Sequence, residues 1–251
     1  MQSEILDLRD GRRIAYARAA GEGPGIVYLG GLRSDMTGTK ATFLEAWARA
    51  RGQAFLRFDY TGHGASSGAF RDGAIGDWAR DAHDAIAALT EGSQVLVGSS
   101  MGGWISLLLA RRIPDRIAGF VGIAAAPDFT EDGMWAEMDA AARARLARDC
   151  EVALPSDYGD EPYPITRRLI EDGRANLVLR APLALPFPVR LLHGDADRDV
   201  PLAVALRLLA HATADDMRLT IVKGADHRFS APDNLALVAA SIEDLLDGGG
   251  A

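Results

Sequence analysis

The chain has 251 residues, of which 48% are hydrophobic, which is enough to bury the core of one large α/β domain. Its net charge of −8 argues against nucleic acid or an anionic membrane surface as a partner. No apolar stretch approaches the roughly 20 residues of a membrane span, and we recognise no signal or transit peptide. The single cysteine, Cys150, fits a reducing compartment, so we expect a cytoplasmic protein.

The first half of the chain alternates predicted strands and helices. Residues 4–9 and 13–19 flank Asp10-Gly11, which predicts an antiparallel hairpin. Buried strands follow at 25–29, 53–58, 93–97 and 117–125, with helices at 42–50, 77–89 and 104–112 between them. This spacing is typical of βαβ units and predicts a mostly parallel central sheet flanked by helices.

The segment Gly98-Ser99-Ser100-Met101-Gly102 joins a predicted strand to a predicted helix. A Gly-x-Ser-x-Gly pattern in that context predicts a sharp turn that carries a nucleophilic serine. Glycine stands two residues before and two residues after Ser100, whereas Ser99 has Val97 and Met101 at those positions. We therefore predict Ser100 as the nucleophile, since a bare glycine-rich connection fits the flanking strand and helix less well.

The alternation breaks between residues 127 and 186. Helix-forming runs at 134–149 and 166–179 are joined by a segment with Pro155, Tyr158, Gly159, Pro162 and Pro164. We interpret residues 127–186 as an insertion, here called the lid, carried by a core of residues 1–126 and 187–247. Two further packing helices without a role in binding are the alternative. Strands at 189–193 and 217–222 and helices at 202–211 and 234–246 resume the pattern, and residues 248–251 are predicted to be disordered.

A nucleophilic serine needs a histidine base. Where the serine lies on a strand-to-helix turn of this kind, the histidine comes after the serine in the sequence. His63 and His83 precede Ser100, His193 ends a predicted strand, and His211 lies on a polar helical stretch. His227 lies in a glycine-containing loop directly after the last predicted strand, where an imidazole can reach the edge of the sheet. We predict His227 as the base.

The acid that orients the histidine is expected among Asp195, Asp197 and Asp199. The same alternation also begins calcium loops, but those need glycine and glutamate where this chain has Val200 and Leu206, so we expect no metal. The pattern His-Gly-x-x-Asp-x-x-Val-Pro selects Asp197, which leaves Asp195 and Asp199 as solvated charges.

An oxyanion hole needs two backbone N–H donors. We predict the N–H of Met101, directly after the nucleophile, and that of Leu32, which follows Gly30-Gly31 at the end of the first buried strand.

Five local patterns together resemble the α/β-hydrolase family, and within it the mitochondrial palmitoyl-protein thioesterases that also act as acyl-glucuronide esterases. The patterns are Met36-x-Gly38-Thr39-Lys40-Ala41, Arg57-Phe58-Asp59-Tyr60-x-Gly62-x-Gly64-x-Ser66-x-Gly68, Gly98-Ser99-Ser100-x-Gly102-Gly103-Trp104, Arg190-Leu191-Leu192-His193-Gly194-x-x-Asp197-x-x-Val200-Pro201 and Asp226-His227-Arg228. The resemblance covers about residues 25–245 and implies an α/β-hydrolase fold with Ser100, Asp197 and His227 as the triad.

The sequence thus predicts a serine hydrolase that cleaves esters or thioesters through an acyl-enzyme, without cofactor or metal. A lyase or a ligand-binding protein on the same fold is the alternative. Small molecules and acylated proteins are the expected substrates. In the lid, we expect Met134, Trp135 and Met138 to line an apolar slot for the acyl chain.

Overall fold

The structure is a computed structural model that describes residues 3–154 and 163–248. The first half of the chain forms six strands and three α-helices. They are β1 (Glu4–Asp7), β2 (Arg13–Ala19), β3 (Glu22–Leu29), α1 (Thr39–Ala50), β4 (Gln53–Phe58), α2 (Ile75–Leu89), β5 (Gln94–Ser99), α3 (Met101–Arg112) and β6 (Ile117–Ile123). Each lies within a few residues of its predicted position, and helix α3 is buried along almost its whole length.

The lid comes next, followed by the rest of the core. The lid contains a π-helix (Thr130–Trp135), α4 (Ala140–Asp149), β7 (Glu151–Leu154), β8 (Tyr163–Thr166), α5 (Arg167–Ala175) and β9 (Leu183–Ala184). The core then continues with β10 (Val189–Gly194), α6 (Leu202–His211), β11 (Ala212–Thr213), β12 (Met217–Val222) and α7 (Pro232–Leu246).

Eight strands form the central sheet in the order β1-β2-β4-β3-β5-β6-β10-β12. The pairs β1·β2 and β2·β4 are antiparallel, and the pairs from β4 to β12 are parallel. The carboxyl ends of β3, β5, β6, β10 and β12 therefore meet at one edge, where ligands bind in open α/β sheets.

Alternating side chains of the central strands fill two cores on opposite faces of the sheet. Val27 and Leu96 pack on the face that α2 and α3 cover. Ile26 and Val95, their neighbours in sequence, pack on the face that α1 and α7 cover. Successive side chains of a strand point to opposite faces, so a strand buried on both faces is apolar throughout.

The lid departs from the two helices that the sequence predicts. Helix α4 begins only at Ala140, because the carboxylate of Asp139 accepts the N–H of Ala142 at 2.6 Å and caps a new helix. Helix α5 ends at Ala175, four residues early, and the N–H groups of Val178 and Leu179 bind the distant carboxylate of Asp128 instead. The antiparallel pair β7·β8 was not predicted.

Some predicted features lie outside the described residues. These are Pro155, Tyr158, Gly159 and Pro162 in the lid, and residues 249–251 of the predicted disordered tail. Of the helices that the structure does describe, none combines the length and the apolar character that crossing a membrane requires.

Candidate active site

Ser100 lies in a sharp turn between β5 and α3, with a φ of 53° that side-chain-bearing residues rarely adopt. The flanking glycines have no room for a side chain. A Cβ on Gly98 would lie 2.5 Å from the Gly102 carbonyl oxygen, and a Cβ on Gly102 would lie 2.1 Å from that of Leu29. The Ser100 N–H also donates to the Ile123 carbonyl at 2.9 Å, so strand β6 holds the turn in place.

The neighbouring Ser99 is in a different environment. It is the last residue of β5, it is buried, and its side chain is hydrogen-bonded to the phenol of Tyr28. Burial raises the pKa of Tyr28, so the phenol stays protonated and the hydrogen bond with Ser99 is between neutral groups.

His227 and Asp197 come together at the carboxyl edge, from the loops that follow β12 and β10. The Nδ1 atom of His227 lies 2.9 Å from Oδ2 of Asp197. Oδ1 of Asp197 accepts the N–H groups of Asp199 and Val200, both at 2.9 Å. Burial by itself would raise the pKa of Asp197, but the hydrogen bonds from His227 and Val200 outweigh it and lower the pKa below its ordinary value. Asp197 is therefore a carboxylate that favours a protonated Nδ1 on His227.

The other candidates for acid and base make further contacts. His193 is buried, its Nε2 donates to the Val200 carbonyl at 2.9 Å, and the same atom lies 3.6 Å from Oδ2 of Asp197. His211 donates to the Ala181 carbonyl through Nε2 at 2.9 Å. Asp195 is exposed and accepts a hydrogen bond from the ammonium of Lys223 at 2.7 Å.

Ser100 and His227 line one cavity of about 790 Å³ at this edge of the sheet. Leu32, one of the predicted oxyanion donors, lines it as well. Among the residues that the structure describes, none accepts a hydrogen bond from the Leu32 N–H. Met101 begins helix α3, where first-turn N–H groups have no partner within the helix.

The lid contributes part of the apolar wall of the cavity, although not with all the predicted residues. Met134 and Met138 line the cavity. Trp135 does not belong to the described lining, and the guanidinium groups of Arg143 and Arg174 lie 4.8 and 4.4 Å from the centre of its ring. The expectation for Trp135 is therefore wrong, because a helix carries successive side chains to different sides.

The sequence prediction also missed several residues of the wall. Phe129 and Ile165 come from the lid, Tyr28 from β3, and Val200 from the loop after β10. Val200 belongs to the pattern that selects Asp197, so that motif could have suggested it. For Phe129 and Ile165 we find no comparable local signal, because their position depends on how the lid packs.

Buried charges hold the loop that carries Leu32. The carboxylate of Asp59 accepts the N–H of Met36 at 2.6 Å and that of Ala65 at 2.9 Å. The guanidinium of Arg57 donates to the Met36 carbonyl and pairs with Glu45. Both backbone groups of Met36 are thus fixed by neighbouring charged side chains, which restrains the loop between β3 and α1.

The donor atoms of Asp197, Asp199 and His227 lie within 4.8 Å of one another, a spacing at which a metal ion could bind. The hydrogen bond between Asp197 and His227 already occupies one carboxylate oxygen and the Nδ1 atom. A metal ligand would need that nitrogen deprotonated, so this set fits a hydrogen-bonded pair better than a metal centre.

Comparison with known proteins decides the family. The model of the alpha/beta hydrolase family matches residues 26–240. The chain belongs to the alpha/beta hydrolase family. The predicted α/β-hydrolase fold, with its large and mostly parallel sheet flanked by helices, is thereby confirmed, and the chain is a hydrolase of this family.

The similarity to known hydrolases extends over nearly the whole chain. The palmitoyl-protein thioesterase ABHD10, mitochondrial, of Rattus norvegicus is 34% identical over 235 residues, which cover 93% of this chain and 79% of that protein. The structure of alpha/beta hydrolase domain-containing protein 10 from mouse matches with a TM-score of 0.91 and 32% identity, over 98% of this chain and 99% of that one. A putative hydrolase from Agrobacterium vitis S4 matches with a TM-score of 0.93 and 40% identity, over 97% and 98%. The predicted resemblance to the palmitoyl-protein thioesterases is confirmed.

Proposed function

We propose that this hydrolase is a serine hydrolase that cleaves carboxylic esters or thioesters through an acyl-enzyme. One observation carries the proposal. Ser100, on its strained turn, lines the same cavity as His227, whose Nδ1 lies 2.9 Å from the carboxylate of Asp197. A serine on a strand-to-helix turn, a histidine and an oriented carboxylate are the groups that nucleophilic acyl transfer requires.

In the proposed mechanism, Nε2 of His227 takes the proton of the Ser100 hydroxyl while Oγ attacks the acyl carbon. Asp197 keeps the proton of His227 on Nδ1 and stabilises the imidazolium that forms. The N–H groups of Leu32 and Met101 stabilise the negative charge on the acyl oxygen. His227 then protonates the departing alcohol or thiol. In the second half of the reaction, His227 takes a proton from water, the water oxygen attacks the acyl carbon, and the acid is released as Oγ of Ser100 regains a proton from His227.

The substrate part of the proposal comes from the cavity wall and the relatives. Met134, Met138 and Phe129 offer flexible apolar surface beside Ser100. The curated relatives are named palmitoyl-protein thioesterases. We therefore propose that the acyl chain lies against the lid, in a small molecule or an acylated protein.

The decisive experiment compares Ser100→Ala with Ser99→Ala. Ser100→Ala should abolish turnover of an octanoyl thioester and labelling by a fluorophosphonate, whereas Ser99→Ala should retain both. Labelling that persists in Ser100→Ala would refute the assignment. A pre-steady-state burst of released thiol would support the acyl-enzyme over a lyase or a binding protein on this fold.

The cytoplasmic location stays a prediction. The curated relatives carry the word mitochondrial in their names, so fractionation of cells that produce this chain is the appropriate test.

A further inference from the structure

Lys40 lies at the start of helix α1 and lines the cavity that also contains Ser100 and His227. Its ammonium donates a hydrogen bond to the backbone carbonyl of Arg228, the residue directly after His227. The chain has only two lysines, and the other one, Lys223, is exposed and paired with Asp195. Lys40 thus places a positive charge beside the predicted base.

The charge of Lys40 is only partly compensated within the protein. Burial is the main cause that lowers its pKa to about 8; the charge of Asp226 opposes this shift and that of Arg228 adds to it. Across residues 3–154 and 163–248, no carboxylate forms an ion pair with this ammonium. A cation that has lost part of its hydration without gaining a direct ion pair is stabilised when an anion binds beside it.

Other charged groups line the same cavity. Arg33 and Asp35 come from the loop before α1, and the Asp35 carboxylate accepts the N–H and hydroxyl of Thr37. Glu137 belongs to the lid.

Arg198 and Asp199 come from the loop after β10, and Arg228 follows His227. The wall that surrounds Lys40 thus combines positive and negative groups, although the chain as a whole has a net charge of −8.

The position beside His227 indicates which end of the substrate Lys40 meets. In the proposed mechanism, His227 hands its proton to the leaving group, so the leaving group lies on the His227 side of Ser100. The apolar residues Met134 and Met138 belong to the lid and suit the acyl chain. Lys40 is hydrogen-bonded to Arg228, the residue after His227, and therefore lies on the leaving-group side of the cavity.

We propose that Lys40 determines specificity by binding a carboxylate or phosphate on the leaving group, so that the preferred substrates are esters or thioesters of anionic alcohols or thiols. This inference rests on the proposed function. The reaction remains a hydrolysis, in which water provides the oxygen for the acid and the anionic thiol or alcohol leaves with a proton from His227.

Two pairs of substrates test the proposal. In each pair, the leaving groups differ only in the anion. The carboxylate pair is the S-octanoyl thioester of 3-mercaptopropionate and that of 3-mercaptopropionamide. The phosphate pair is S-octanoyl-4′-phosphopantetheine and S-octanoylpantetheine. Near neutral pH, the enzyme should prefer the anionic member of at least one pair by about tenfold in kcat/KM, mainly through a lower KM. A preference of this size is what one hydrogen bond to a charged group contributes. The pair with the larger preference identifies the anion.

The variant Lys40→Gln should remove this preference, because glutamine donates a hydrogen bond without a charge. Lys223→Gln is the matched control and should keep the native preference. The preference of the native enzyme should also decline as the pH rises above the pKa of Lys40, because the neutral amine no longer attracts the anion. This pH measurement applies even if Lys40→Gln fails to fold.

Binding measurements separate this proposal from the proposed function. Thioether analogues, with CH₂ in place of the acyl carbonyl, cannot be hydrolysed, so calorimetry with them requires no nucleophile. The anionic analogue should bind about tenfold more tightly than its neutral partner to the native enzyme, and equally tightly to Lys40→Gln. Equal affinity of the native enzyme for both analogues would overturn the proposal. So would a Lys40→Gln variant that loses kcat equally on anionic and neutral substrates, which would make Lys40 a positioning residue for the His227 loop.

Discussion

Nδ1 of His227 lies 2.9 Å from Oδ2 of Asp197, whose other oxygen accepts the backbone N–H groups of Asp199 and Val200. The carboxylate is thus fixed by its own loop before it meets the histidine. Two loops that are 30 residues apart in the chain build the pair together.

We expect Asp197→Asn to lower kcat by several orders of magnitude. The amide can donate to Nδ1, which would leave the Nε2 atom of His227 protonated and unable to accept the serine proton. Asp195→Asn is the control, because Asp195 pairs with Lys223 instead. The measurement is kcat on an octanoyl thioester. If Asp195→Asn is the more damaging change, the acid has been assigned to the wrong residue.

The length of the acyl chain should govern kcat/KM. We expect a rise from acetyl to octanoyl substrates, because each CH₂ that the lid buries contributes about 0.8 kcal/mol. Met134→Ala should reduce the rise, since Met134 lines the cavity. Trp135→Ala should preserve it, because the ring of Trp135 packs against Arg143 and Arg174. The same slope in Met134→Ala and the native enzyme would argue against an acyl site under the lid.

Asp128 should stabilise the lid through its buried carboxylate, which accepts the N–H groups of Val178 and Leu179 at 2.8 and 3.0 Å. Asp128→Ala would leave both donors buried without a partner, at about 1–3 kcal/mol each. We therefore expect a loss of about 2–6 kcal/mol in the free energy of unfolding, measured in urea. Asp132→Ala, which removes the more exposed ion pairs with Arg180 and Arg207, should cost less than about 1 kcal/mol. Equal losses in the two variants would contradict this account.

His63 should make the protein less stable in acid. Its ring is buried among Tyr60, Phe70 and Trp78, and burial lowers its pKa to about 4. The unfolded chain, with a histidine pKa of about 6.5, binds the proton first, so the stability is complete above pH 6.5 and is lost as the pH falls towards 4. The loss amounts to at most about 3 kcal/mol.

Urea unfolding at several pH values tests this prediction. His63→Phe should flatten the dependence between pH 6.5 and pH 4. His83→Gln is the control, because His83 on α2 has a side chain that is 40% exposed, and it should keep the native slope. An unchanged slope in His63→Phe would show that other groups cause the acid sensitivity.

The sequence by itself determined the features that short stretches of chain specify. The Asp10-Gly11 hairpin, the alternation of strands and helices, and the turn at Ser100 all follow from local patterns. At Gly98 and Gly102 the backbone approaches so closely that only glycine fits, which is why the motif can be recognised without the structure. The pattern around Asp197 likewise indicated which of three aspartates meets His227.

Only the tertiary structure decided which lid residues face the cavity and which charges face one another. The distance between Asp128 and Val178, or between Lys40 and Arg228, depends on how separate segments pack. Helical periodicity predicts that a segment has an apolar face, but not which neighbour that face meets, so Trp135 was wrongly assigned to the cavity. Local stereochemistry determines turns and strands. Contacts between distant segments, by contrast, form only when those segments pack against one another in the folded protein.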